Sequence, residues 1–159
     1  MAVPITFFVS YPRRDARLAQ CFMEHFQEQT APSRRYDYST WLDTAIPLGA
    51  PWHDTIQQAL DSSNGGLLLL TPAFLHSTYI TEHELPRLME RPAQPVVPVL
   101  LKPLNLQLHD LHGLERYQIF SLGGQQSFFE CRTPVLRSRF AATLFARIEE
   151  RLDTLGLHD

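Results

Sequence analysis

Four consecutive leucines, Leu67 to Leu70, stand between Gly65-Gly66 and Thr71-Pro72, and they constrain this chain more than any other stretch. The glycines before the run and the proline after it hold it to strand length, too short for a helix of its own. A strand that is apolar at every position has no face to give to water, so it belongs in the middle of a sheet covered on both sides. Four further runs read as strands. "ITFFVSY" (5 to 11) ends at Pro12, and "RYDYSTWLD" (35 to 43) alternates Tyr36, Tyr38 and Thr40 with Asp37 and Ser39. "PVVPVLL" (95 to 101) and the short "YQIFSL" (117 to 122) follow. Pro98 cannot donate to a sheet ladder, which places its strand near an edge.

Between these runs the apolar spacing becomes helical. Residues 15 to 29 bring Leu18, Cys21, Phe22 and Phe26 to one side, with Asp15 placed to cap the start. A second helix is expected from Trp52 to Leu60, stopped by "DSSNGG", and a third from about 73 to 90. The clearest amphipathic helix runs from Thr133 to Leu155. It sets Leu136, Phe140, Leu144, Ile148 and Leu152 four residues apart before Gly156 ends it. Five strands, mostly alternating with helices, imply parallel pairing through crossovers and so a doubly wound α/β sandwich with helices on both faces. No internal repeat or linker divides the chain, and residues 1 to 159 read as one domain.

The bulk properties exclude several classes. Hydrophobic residues at 44% and charged residues at 19% argue against disorder. A net charge of -3 gives no footprint for nucleic acid, although Arg13-Arg14 and Arg34-Arg35 form two local basic pairs. Two cysteines, Cys21 and Cys131, do not make a secreted disulfide framework, and a reducing, cytosolic compartment is expected. The N-terminus lacks a basic region before its apolar run, and no run approaches the roughly 18 residues of a membrane span.

Ligands of open α/β sheets bind beyond the carboxyl ends of the strands. Those ends are "SYPRRD", "DTAIPLGAP", "TPAFLHS" and "KPLNL". They lack the GxGxxG of dinucleotide-binding oxidoreductases, the GxxxxGK[ST] of nucleoside triphosphatases and the GxSxG of esterases. They also lack the aspartates of a phospho-acceptor receiver. His109 and His112 form an HxxH pair without the further ligands that zinc requires, so no metal is expected.

In combination, these ends resemble the TIR (Toll/interleukin-1 receptor) domain family. "FFVSYPRRDARLA" resembles its first box. "WLDTAIPLGAPWHDTIQQALDSSNGGLLLLTPAFLHSTYITEHELPRL" resembles the second box and beyond: W-x-D, a P-x-G loop, W-x-x-x-I, a strand, T-P-x-F-L-x-S, and a glutamate followed by leucine. "PVVPVLL" is similar to the family's fourth strand, and "EHELP" looks most like bacterial members.

The resemblance implies a flavodoxin-like sheet. In many members it also implies cleavage of NAD to nicotinamide and ADP-ribose or a cyclic isomer, in bacteria as part of anti-phage defence and on self-assembly. NAD would be substrate rather than cofactor. Other members are adaptors that assemble with partner TIR domains, alone or alongside a sensor or effector, and fold does not choose between the two.

The same resemblance supplies the candidate site. A catalytic glutamate typically follows an aromatic residue by four positions and precedes leucine. Glu84 precedes Leu85 but has Ile80 four residues before it, with Tyr79 displaced by one, so Glu84 is the first candidate and Glu82 the second. Phe8, Ser10 and Tyr11 would line the floor, with Phe8 equally suited to the core, and Arg13 or Arg14 would approach the pyrophosphate or nicotinamide side. The loop from Asp43 to Trp52 matches the family's BB loop, where Ile46 and Leu48 are contact candidates. Trp41 and Trp52 suit packing better than base stacking, although Trp52 borders the site. Against catalysis stands a local alternative: Thr81-x-x-Glu84 is a capping box at a helix start, followed by a tolerated Pro86. A carboxylate in either role is favoured in its ionised form near a helix N-terminus.

Overall fold

The computed structural model describes residues 1–43, 48–91 and 94–156. Its centre is a parallel sheet of four strands: β1 (Val3–Ser10), β2 (Tyr36–Trp41), β3 (Gly65–Leu70) and β4 (Val96–Leu100), in the order β2-β1-β3-β4. The leucine run is an interior strand, as its composition demands, and every residue of β3 is buried. Alternate residues feed two cores. Ile5, Phe7, Val9, Leu67 and Leu69 pack with Phe22 and Phe26 of α1 (Ala16–Thr30) and with Phe140, Leu144, Ile148 and Leu152 of α5 (Pro134–Thr154). Phe8, Leu68 and Leu70 point the other way, against Ile56 and Leu60 of α2 (Trp52–Ser62) and against Phe74, Leu75, Ile80 and Leu85. The doubly wound arrangement is thus built from the period-two alternation of two strands.

Among the described residues, four strands replace the five expected. The run 117–122 reaches the sheet only at Phe120, whose N–H donates to the Pro98 carbonyl at 2.8 Å and whose carbonyl accepts from Leu100 N–H at 2.9 Å. Leu122 then pairs with Gln126 across the turn at Gly123, and the chain comes back to the end of β4 with Phe128 N–H donating to the Leu100 carbonyl at 3.0 Å. Pro98 is on the outward-facing side of β4, where its missing N–H removes no bond to β3, so the edge placement holds.

The helix expected over 73 to 90 is three short pieces. α3 (Pro72–His76) is capped by Thr71, whose hydroxyl accepts from Phe74 N–H at 3.0 Å, and it stops at the extended Ser77. A π turn, Ile80–Glu84, comes next and runs directly into α4 (Leu85–Met89). Pro86 has no N–H to return to the carbonyl four residues back and its ring crowds that carbonyl, so a wide turn before it relieves the ladder. The Leu85 N–H closes that turn on the Ile80 carbonyl.

Asp15 is no cap. It makes no cap hydrogen bond to α1 and is 2% exposed. Its carboxylate accepts from Thr71 Oγ1 at 2.5 Å and from Lys102 Nζ at 2.9 Å, tying together the segments that leave β1, β3 and β4. The terminal helix matches its expectation closely: Thr133 Oγ1 accepts from Leu136 N–H at 3.1 Å, and Gly156 turns out of the helix at φ 73°. Among the described residues, no helix is long and apolar enough to cross a membrane.

Candidate active site

Strand alternation puts Ser10, the last residue of β1, on the same face as Phe8 and the α2 core. The π turn lies against that face and delivers Glu84 to it. Ser10 Oγ donates to Glu84 Oε1 at 2.6 Å in a buried contact, and Glu84 is 7% exposed. Burial raises the Glu84 pKa from 4.5 to about 7; the Ser10 hydrogen bond opposes the rise, and the negative charge of Asp43 adds to it. Glu84 therefore titrates near neutrality rather than resting ionised as a helix-start carboxylate would. Glu82 is exposed.

The capping box does not form. Thr81 Oγ1 donates to the Ser77 carbonyl at 2.9 Å, while Ser77 Oγ takes the capping role by accepting from Ile80 N–H at 3.3 Å. Glu84 is thereby left for Ser10. The same turn explains the displaced aromatic residue, because an i→i+5 turn accommodates one residue more than an α turn between Tyr79 and Glu84.

The other expected residues divide into four groups. Tyr11 and Asp43 join the site: Tyr11 Oη donates to Asp43 Oδ1 at 3.0 Å, and burial with the nearby Asp43 charge raises the Tyr11 pKa. Phe8 and Ile80 are core, 1% and 4% exposed, with Phe8 stacked on Trp41 at 5.2 Å between centroids. They support the floor from below. Arg13 and Arg14 are exposed in a short 3-10 turn (Arg13–Asp15) just beyond β1. Leu48 is fully exposed, and Ile46 lies outside the described residues.

Trp41 packs as expected, but Trp52 does not. It is 56% exposed at the start of α2 and lies against Tyr79 with centroids 5.0 Å apart. Two residues that the sequence reading passed over complete this wall. His83 is 4.9 Å from Tyr79, and His53 is 5.7 Å from Tyr79 with Nδ1 2.9 Å from the Tyr79 hydroxyl. The signal was the spacing Tyr79 to His83, four residues apart within one turn, beside a helix that begins Trp52-His53. His109 and His112 are elsewhere: the His109 ring accepts from Asn105 N–H at 3.1 Å, and His112 Nε2 is 2.8 Å from the Leu75 carbonyl. Among the described residues, no group of three or more His, Cys, Asp or Glu side chains is placed to hold a metal ion.

The arrangement offers one buried carboxyl of tunable charge, a hydroxyl fixing its orientation, a second carboxylate held by a tyrosine, and an exposed aromatic wall. Such a site can steady positive charge that develops next to Glu84 and receive a flat ring alongside. A family model described as TIR domain matches residues 7–132, a span that contains all of these groups. No curated protein matches the chain.

Proposed function

The chain belongs to the TIR domain family, and from that membership we propose that it cleaves the bond between nicotinamide and ribose in NAD, with Glu84 as the catalytic residue. The observation that carries the reading is Glu84 itself, a buried carboxyl oriented by Ser10 at the carboxyl end of the sheet. An acid confined to a structural role would sit better solvated or paired with a cation; perturbed titration beside a strand end is the pattern of a working group.

The chemistry asks little of the protein. When the C1′–N bond breaks, its electron pair returns to the pyridine ring, and nicotinamide leaves as a neutral molecule. No general acid is needed, unlike ordinary glycoside cleavage. Positive charge passes to the sugar, and an ionised Glu84 next to the ribose stabilises it electrostatically. Water then adds to C1′ and loses a proton, giving ADP-ribose, or a nitrogen of the substrate's own adenine adds to give a cyclic product. The cationic ring of bound NAD favours the ionised form of Glu84, drawing its pKa below the value in the free protein. The rings of Trp52, Tyr79 and His83 lie together and would receive a departing ring, and Arg13 and Arg14, exposed beyond β1, would meet the pyrophosphate.

The test is nicotinamide release from NAD by concentrated protein, with products separated chromatographically. Glu84→Gln should abolish release and Glu82→Gln should retain it. Loss in the Glu82 variant alone would reassign the acid. A second reading, an adaptor that recruits other TIR domains through the 43–52 loop, is favoured by the fully exposed Leu48 on that loop. No release by wild-type protein, even when crowded, together with self-association lost in Leu48→Ser, would select it.

A further inference from the structure

The unfilled place of a fifth strand leaves a cleft. It opens between the start of β4, the 116–120 segment and the second half of α5, with a volume of about 590 Å³, within the range of small-molecule sites. Val96 begins β4 at this opening, whereas Ser10 and Glu84 belong to the carboxyl end of the sheet. A five-residue strand spans roughly 15 Å, so the cleft is separate from the candidate active site.

Its charge is unlike that of the whole protein. Arg91, Arg116, Arg147 and Arg151 line it against a single carboxylate, Glu150, in a chain whose net charge is -3. Arg91 already pairs with Asp61 at 3.4 Å, and Arg116 Nε donates to the Gly113 carbonyl at 3.3 Å. Arg147 and Arg151 are spaced one turn apart on α5, and their side chains have no partner among the described residues. Concentrating like charges costs free energy unless an anion joins them, and guanidinium forks match phosphate oxygens in pairs. Val97, Tyr117 and Phe120 form an apolar and aromatic part of the wall, and Gln94, Gln118 and Thr154 add neutral polar groups to the lining. Guanidinium forks beside an aromatic face with neutral hydrogen-bonding groups are complementary to a phosphorylated nucleoside.

We propose that this cleft is a second ligand site that takes a nucleoside phosphate, its phosphates on Arg147 and Arg151 and its base against Tyr117.

Isothermal titration calorimetry of the intact chain tests this with ADP, inorganic pyrophosphate and adenosine as probes. ADP should bind at least about tenfold more tightly than either fragment, because only ADP engages both the guanidinium pair and the apolar wall. Arg147→Gln/Arg151→Gln, on an exposed helix face, should weaken ADP at least about tenfold, and Arg116→Gln, on a different element, should weaken it in the same direction. Unchanged ADP affinity in the double variant would overturn the site wherever ADP binds. Equal affinity for pyrophosphate and ADP would overturn the nucleoside assignment. Absence of ADP binding, with self-association lost in the double variant, would overturn the proposal in favour of an acidic protein surface.

Discussion

Glu84→Gln should make the protein more stable, and by an amount that depends on pH. The carboxyl has a pKa raised from 4.5 to about 7 by burial. Below 4.5 it is protonated in both folded and unfolded chains, and wild type and variant should differ little, since the amide oxygen of Gln can still accept from Ser10. Between 4.5 and 7 the folded chain holds a proton that the unfolded chain has released, so wild-type stability falls by up to ~1.4 kcal/mol per pH unit relative to the variant. Above 7 both states are ionised and the penalty is complete, at about 3 kcal/mol. Urea unfolding of both proteins at intervals from about pH 5 to pH 8.5 measures this, because titrations elsewhere cancel in the difference. Glu82→Gln serves as the exposed control. A stability difference that stays flat across that range, or that grows as pH falls, would refute the claim that burial dominates at Glu84.

Other consequences can be checked in parallel. Nicotinamide release should rise with pH through the Glu84 titration; Ser10→Ala should move that midpoint upward and Asp43→Asn downward, since Ser10 lowers the pKa and Asp43 raises it, as rate profiles would reveal. Lys102→Met leaves the buried Asp15 carboxylate without its cation and should cost about 2 kcal/mol in chemical denaturation, less than for a fully buried pair because Lys102 is partly exposed. Gly65→Ala should destabilise by about 1 to 3 kcal/mol in the same assay, because a Cβ there would lie 2.7 Å from the Pro95 carbonyl oxygen across the β3–β4 ladder.

The sheet was legible wherever burial is two-sided or regularly alternating. β3 could be read because every position is apolar, and α5 because five apolar residues recur at one helical spacing. Much of what could not be read depends on partners distant in sequence. Asp15 has the local pattern of a cap, and only the approach of Thr71 and Lys102 shows why it is buried instead. The 117–122 run has strand composition, but only Phe120 pairs with β4, because Leu122 takes Gln126 as its partner across the turn at Gly123. At the candidate site, Glu84 and Ser10 were both visible as residues, but not as a pair 74 positions apart. Thr81-x-x-Glu84 favoured the capping reading because local patterns are blind to Ser77, the residue that actually caps. Packing is the better expectation for Trp52 from sequence, yet it is largely exposed and its ring neighbour is the half-buried Tyr79.

An additional residue inside a regular helix would rotate everything beyond it by about 100°, enough to swing an acid from a cleft into solvent. The widened turn at Ile80–Glu84 absorbs that rotation within a single loop of backbone. Orientation is thereby decoupled from spacing, so counting four residues forward from Tyr79 lands on His83 rather than on the buried Glu84. In this chain the carboxyl that meets Ser10, the final residue of the first strand, is found by its place in space and not by its count from Tyr79.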